Sequence, residues 1–363
     1  MLLEQTGLAS GTSCRSSKLI HGGLRYLETA QFSLVHECLR ERTLLLKLAP
    51  DLVRLQSFYI PVYHSTQRRP WQLRTGLMLY WVLAGFGNDG RFNTVPRSTW
   101  DSLDGLNTKN LQAVFQYRDA QTDDAALTKA VMHSATTLGA RVIIPATFMS
   151  AELKEKKCIV HYQVSGKDYS CETHAVVNAA GPWVNHVLDN ITPTPKKLAI
   201  ELVQGTHITI AGTLSQGIYY LEAPRDHRAV FAIPWKGGIL IGTTESHYEG
   251  DPAAVKPLEQ EQDYLLNAFM HYFPAYGPLQ QRDITTSFAG LRVFPKSDTS
   301  PFLRSRDTTL YPDRLVRPRL LSIYGGKLTT FRATAEKVIN QLVPGLPQRK
   351  KIADTKHLLI TPV

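Results

Sequence analysis

The chain opens "MLLEQTGLASGTS" (1–13), an apolar pair that meets Glu4 and then runs into small residues. An apolar strand closing on a carboxylate is how the second strand of a dinucleotide-binding βαβ unit ends, the acid being placed for a ribose hydroxyl. No GxGxxG precedes Glu4. The reading therefore expects a first strand, glycine loop and helix to be missing, about 30 residues by the size of such a unit.

Next comes "SSKLIHGGLRYLE" (16–28), in which serines, a lysine, a histidine, paired glycines and an Arg-Tyr pair crowd together. The run suits neither a core strand nor an ordinary helix. It reads as a ligand-facing turn, with glycines for close approach and a basic head for an anion.

Farther out the periodicity is clearer. "QFSLVHECLRERTLLLKLA" (31–49) carries an apolar stripe of Phe32, Val35, Leu39 and Leu46, with Glu37, Arg40, Glu41 and Lys47 opposite, and Pro50 stops it. "YIPVYHS" reads as a strand. "TDDAALTKAVMHSATTLGARVII" predicts a helix capped by Asp123 or Asp124 and ended by Gly139, then a strand over 141–145. "KKCIVHYQVSG" and "KDYSCETHAVVNAAGPW" alternate like a meander, and "HAVVNAAG" reads as a strand buried on both faces. Beyond Asn190 the chain is β-rich with Gly/Pro turns, interrupted by the helical "PLEQEQDYLLNAFMHYFP". "LLSIYGGKLTTFRATAEKVINQLVPG" predicts strand, glycine pair and a helix from about Thr329 to Leu342.

Bulk properties set bounds. The 363 residues are 43% hydrophobic and 20% charged, which excludes a disordered chain and an integral membrane protein. Lys plus Arg total 41 against 31 acids, a net charge of +10 that suits an anionic partner. The basic residues are dispersed rather than striped with aromatics, which argues against nucleic acid. Cys14, Cys38, Cys158 and Cys171 are widely spaced, so reduced thiols and no metal cluster are expected. "WQLRTGLMLYWVLAGFG" (71–87) is too short to span a bilayer. It is either a buried core helix or, with Arg68, Arg69 and Arg74, a helix lying in a lipid interface.

Three groups of residues carry chemistry. "VVNAAGPW" ends a strand in small residues, where open α/β sheets bind ligands. In "YGGKLTTFR" the N–H groups at Thr329 and Thr330 point back into the glycine turn and favour an electron-rich group, and Lys327 stands at the same turn. Arg25, Arg292 and Arg306 lie in apolar or turn contexts, and a phosphate would satisfy several such forks. His207 in "QGTHITI" is a candidate general base, with Tyr26 competing for the same hydroxyl.

"SSKLIHGGLRYLE", "VNAAGPWV", "QGTHI", "IGTTE", "AGLRVFP" and "GGKLTTFR" occur here in the order seen in the membrane-associated, FAD-dependent glycerol-3-phosphate dehydrogenases. The chain resembles that family, part of the amino-acid-oxidase-like flavoproteins, from Leu2 to about Lys337. The resemblance implies an α/β fold: a Rossmann-like FAD domain (1–50, 110–190 and 318–345) with an inserted antiparallel-sheet substrate domain (51–109 and 191–317). Residues 346–363 would begin a truncated C-terminal region.

The same resemblance implies site roles. Glu4 would bind the ribose; Ser16, Ser17, Lys18, Leu19, His21 and Gly22 would run beside the flavin. Asn178, Ala179, Gly181 and Trp183 would form the second cofactor-contacting strand, and Gly326, Lys327, Leu328 and Thr329 would meet the flavin's pyrimidine edge. Arg25, Tyr26, His207, Arg292, Arg306 and Lys327 would form the substrate pocket. Val293 stands where family members usually carry proline, which loosens the turn after Arg292.

The implied activity is oxidation of sn-glycerol 3-phosphate to dihydroxyacetone phosphate, with electrons passed to a membrane quinone. The implied place is peripheral, on the inner face of the cytoplasmic membrane; a homodimer stays open. Two other readings remain: a related flavoenzyme acting on an amino or 2-hydroxy acid, and an inactive fragment that binds membrane or a partner without FAD.

Overall fold

The computed structural model describes residues 1–296 and 307–363; Arg306 lies outside them. Among the described residues six α-helices follow in chain order: α1 (Phe32–Leu48), α2 (Pro70–Leu83), α3 (Asp124–Thr137), α4 (Val184–Asp189), α5 (Glu259–Tyr272) and α6 (Phe331–Leu342).

A mixed sheet of ten strands dominates the fold. Val53–Tyr63 and Leu111–Thr122 pair antiparallel along their length, and Leu19–Ile20 adds an edge beside Ala120 and Gln121. The sheet thus recruits strands from segments that the sequence reading assigns to different domains. At the other end Ile200–Ala211 pairs with Ile284–Pro295, bringing Val203 opposite Arg292 and His207 opposite Phe288. Helix α5 covers one face with Leu265, Phe269 and Tyr272 against Ile208, Tyr219 and Ile241. Helices α1 and α2 contribute Leu39, Leu77 and Tyr80 to a separate apolar cluster with Phe58, Tyr117 and Leu240.

The parallel elements are small. Leu2–Leu3 pairs with Val142–Ile143, and Val176–Asn178 pairs with Leu320–Tyr324. The meander holds, with Thr147–Leu153, Cys158–Val164 and Lys167–Thr173 in antiparallel order.

Three expectations change. The strand after His174 is not buried on both faces: Val177 is 42% exposed. Phe32 is exposed, whereas Glu41 is fully buried. Glu41 lies inside because Arg332 of α6 clasps it in two hydrogen bonds of 2.6 and 2.8 Å, so one member of the expected polar face is in an interior ion pair while Arg40 and Lys47 stay exposed. The 71–87 segment forms α2, but only Leu77 and Tyr80 of that helix are buried. Trp71, Met78 and Val82 are 68%, 46% and 41% exposed, and their spacing puts them on one helix face.

Candidate active site

Two motifs far apart in sequence meet at the site. The His21 N–H donates to Thr329 Oγ1 at 3.1 Å, and the Thr329 hydroxyl reaches the His21 carbonyl at 3.2 Å. The glycine turn before Thr329 is why this contact exists. Gly325 and Gly326 take φ of 73° and 111°, reversing the chain between Leu320–Tyr324 and the 3-10 turn Leu328–Thr330. Lys327 projects from this turn, its Nζ 3.6 Å from the centroid of the Tyr26 ring and 3.6 Å from Cys38 Sγ. Burial pushes the Cys38 thiol up, against the pull of the neighbouring ammonium.

The arginines converge on one carboxylate. Arg25 Nη2 lies 3.9 Å and Arg292 Nη1 3.5 Å from Glu245 Oε1. The Arg25 guanidinium also sits 5.8 Å from the Tyr26 ring centroid. Arg292 Nη2 donates to Thr243 Oγ1 at 3.1 Å, and a Cβ on Gly205 would come within 2.7 Å of that Arg292 nitrogen. The Glu245 carboxylate is thus shared by two guanidinium groups.

His207 is enclosed, at 1% exposed. Its ring stacks on Phe288 at 4.9 Å, and Nε2 is 2.9 Å from Ser17 Oγ. Nδ1 is buried with no hydrogen-bond partner among the described residues. Burial, reinforced by the charges of Arg292 and Lys18, pushes the ring's pKa down to about 3, so the imidazole is neutral at physiological pH.

The remaining expected cofactor residues divide into shaping and facing groups. Glu4 ends its strand and accepts from the Thr6 N–H at 3.1 Å. Ser16 donates through N–H and hydroxyl to Asp124 Oδ2, at 3.0 and 2.6 Å. The Lys18 ammonium is buried on Asp124 Oδ1 and the Cys14 carbonyl, at 2.7 and 2.6 Å. Its head therefore anchors the loop. Leu19 packs in the core. Gly22 faces inward, where a Cβ would lie 2.7 Å from Leu39 Cδ2.

Asn178 shapes its own turn, donating to the Val184 carbonyl at 2.9 Å and accepting from the Ala180 N–H at 3.2 Å. Ala179 is exposed, and Gly181, Trp183, Gly326 and Leu328 line the two strand ends with at least partial exposure. Trp183 leans toward the 11–18 loop, 4.0 Å from where a Gly11 Cβ would be.

Glu245, Thr243 and Asp124 are the site residues that sequence reasoning missed. Glu245 stood within the quoted "IGTTE" motif, and Asp124 was read only as a helix cap. Asp123 is the cap, accepting from the N–H groups of Ala125 and Ala126.

These surfaces fit a flat aromatic cofactor. Val177 and Ala179 present small apolar area at the end of a parallel strand, Gly326 keeps its turn low, and Ser17 is held beside them by His207 Nε2 at 2.9 Å while the ring's Nδ1 is left buried without a partner among the described residues. Ser17, Ala179, Gly326 and Lys327 are the residues that would hold FAD.

Comparison with known proteins agrees. The FAD dependent oxidoreductase family profile matches residues 1–338. The aerobic glycerol-3-phosphate dehydrogenase of Escherichia coli K12 is 38% identical over 353 residues, 95% of this chain and 68% of that protein. The D-erythritol 1-phosphate dehydrogenase of Brucella abortus is 37% identical over 357 residues, 96% of this chain and 69% of that one. The FAD-complexed glycerol-3-phosphate dehydrogenase structure from Bacillus halodurans superposes with a TM-score of 0.74 at 26% identity, covering 98% of this chain and 62% of the other. The chain thus spans about two thirds of the length of these relatives. A profile match over nearly the whole chain, on a fold that ties the His21–Gly23 loop to the turn at Thr329, means that the chain belongs to the FAD-dependent oxidoreductase family, in its glycerol-3-phosphate dehydrogenase group.

Proposed function

We propose that the chain oxidises sn-glycerol 3-phosphate to dihydroxyacetone phosphate, with a membrane quinone as terminal electron acceptor. The observation that carries this reading is the convergence of Arg25 and Arg292 on Glu245, beside Lys327 and Tyr26. A phosphate dianion matches two guanidinium forks, whereas a substrate carboxylate needs only one. FAD, when bound, would supply the two-electron acceptor for oxidation at C2.

The chain's own residues bind and orient. Arg25 and Arg292 hold the phosphate, and Lys327, fixed by the Thr329 turn, adds a positive charge at the open strand ends. His207 arrives neutral and so can accept the C2 hydroxyl proton; Tyr26 is the competing acceptor. Phosphate on Arg292 would also cancel one of the two charges that oppose proton uptake by His207. The relative named for D-erythritol 1-phosphate supports a second reading, a longer polyol phosphate held by the same arginines.

Among the described residues no helix is long and apolar enough to cross a membrane. The exposed face of α2, flanked by exposed Arg69 and Arg74, supports a peripheral seat on the inner face of the cytoplasmic membrane. Arg68 takes no part, because it is held between Glu28 and Glu222.

The deciding experiment compares reduction of a soluble dye by the FAD-loaded chain with glycerol 3-phosphate, erythritol 1-phosphate and 2-hydroxy acids. A clear preference for a 2-hydroxy acid, or an absence of bound flavin, sinks the proposal.

A further inference from the structure

Two of the residues assigned to the substrate, Arg25 and Tyr26, hang from one short turn, Gly22 and Gly23, and a buried tyrosine grips that turn from behind. The Gly22 N–H donates to Tyr80 Oη at 2.8 Å. The Tyr80 hydroxyl donates to Asp119 Oδ2 at 2.6 Å, and Asp119 Oδ1 accepts from Arg42 Nη1 at 2.9 Å. Tyr80, Asp119 and Arg42 are each no more than 1% exposed. Chemistry fixes the order of donors: a carboxylate paired with a guanidinium can only accept, so the phenol oxygen keeps a lone pair for Gly22. A Cβ on Gly22 would overlap that oxygen, so only glycine brings its backbone this close.

The turn passes its position on. Gly23, at φ 79°, opens the 3-10 turn Leu24–Leu27 that bears Arg25 and Tyr26, and the Tyr26 N–H closes it on the Gly23 carbonyl at 2.9 Å. On the other side His21 is tied to Thr329, two residues from Lys327.

We propose that Tyr80 is a positioning residue for the substrate pocket: its hydroxyl, aimed by Asp119 and Arg42, holds the Gly22 turn so that Arg25 and Tyr26 meet the substrate. This rests on the proposed function in naming those two residues as substrate-facing. Removing the one oxygen takes from the buried Gly22 N–H its 2.8 Å acceptor and leaves it only the Asp119 carboxylate behind, while the ring keeps its edge contact with Tyr117 at 6.0 Å. Such a change removes binding common to ground and transition states, which appears in KM more than in kcat.

The test uses Tyr80→Phe, wild type and Leu77→Val, the last a purely apolar change on the same helix in the same core cluster. Two readouts are taken on the FAD-loaded chain: hydrogen exchange of the peptide spanning 16–28, and steady-state kinetics with glycerol 3-phosphate. The expected result for Tyr80→Phe is exchange about tenfold faster in that peptide and a KM raised about fivefold with kcat within about twofold. Leu77→Val should lower thermal stability and leave both readouts unchanged. Exchange in Tyr80→Phe no faster than in Leu77→Val overturns the proposal, whatever the substrate proves to be. Faster exchange with an unchanged KM overturns it as well. Faster exchange in a chain whose wild type does not oxidise glycerol 3-phosphate removes the substrate reading and supports the grip of Tyr80 on the turn.

Discussion

Arg292 Nη1 stands 3.5 Å from Glu245 Oε1, and Arg25 approaches the same oxygen at 3.9 Å. A carboxylate occupies the place between two arginines where an anionic substrate would be recognised. Substrate phosphate must therefore compete with Glu245 for their charge. Glu245→Gln keeps the shape and removes the competitor. Inorganic phosphate should then inhibit the variant about threefold more strongly or better, with weaker discrimination against carboxylate substrates. Inhibition constants measured side by side check this, and an unchanged value would remove Glu245 from anion selection.

Arg292 itself should matter more than any single neighbour. Its guanidinium is held by Thr243 and the Thr244 carbonyl, so its fork is fixed before a ligand arrives. Arg292→Ala should lower kcat/KM for glycerol 3-phosphate about a hundredfold, the equivalent of ~3 kcal/mol. Arg292→Lys keeps the charge but loses the fork, and should recover only part of that loss. The falsifying outcome is an unaltered kcat/KM in Arg292→Ala.

How much of this was legible follows from what each signal depends on. The helices α1, α3 and α5 announce themselves through local period and caps, and the glycine turn before Thr329 through its composition. Arg25, Tyr26, His207, Arg292 and Lys327 could be nominated because basic and aromatic groups beside glycines stand out locally. Glu245 could not be assigned a role, since that role arises only where Arg25, from the 3-10 turn Leu24–Leu27, and Arg292, from the strand Ile284–Pro295, converge. Glu41 looked solvated because its partner Arg332 lies 291 positions away. Tyr80 was hidden for the opposite reason: in an apolar stretch its ring is what a pattern registers, and the single oxygen that grips Gly22 leaves no periodic trace.

The Lys18–Asp124 pair is the anchor of the loop beside the proposed flavin position. Both side chains are almost entirely out of water, and Asp124 also holds Ser16. Lys18→Met removes one charge and strands the other, which should cost about 3–5 kcal/mol of folding stability. Urea unfolding measures it. A loss below about 1 kcal/mol would mean that solvent reaches Asp124 and that the anchor is weak.

His207 should leave a signature in stability against pH. Its pKa in the folded chain is about 3, against 6.5 for the unperturbed ring. As pH falls below 6.5 the unfolded state takes up the proton first, so stability declines, by about 1.4 kcal/mol per pH unit from this one site. The decline ends only when the folded ring is protonated as well. His207→Gln removes the titrating group, so its urea-derived stability should fall less steeply than wild type between about pH 6.5 and about pH 4. Parallel curves would show that His207 is solvated and can titrate in place.

The outer face of α2 makes the remaining claim about place. Trp71, Met78 and Val82 project from one side of the helix, while Leu77 and Tyr80 hold the other side to the core. The exposed side chains can therefore be changed without touching the pocket. Changing all three to serine should weaken partition onto vesicles containing anionic lipid by about tenfold or more, because the apolar area available to the interface is lost. Activity with a soluble dye should stay within about twofold, since none of the three touches the Gly22 turn. Quinone-linked activity on vesicles should fall in step with binding. Vesicle binding equal to wild type would mean that another surface seats the protein, and that the apolar stripe on α2 has a different occupant.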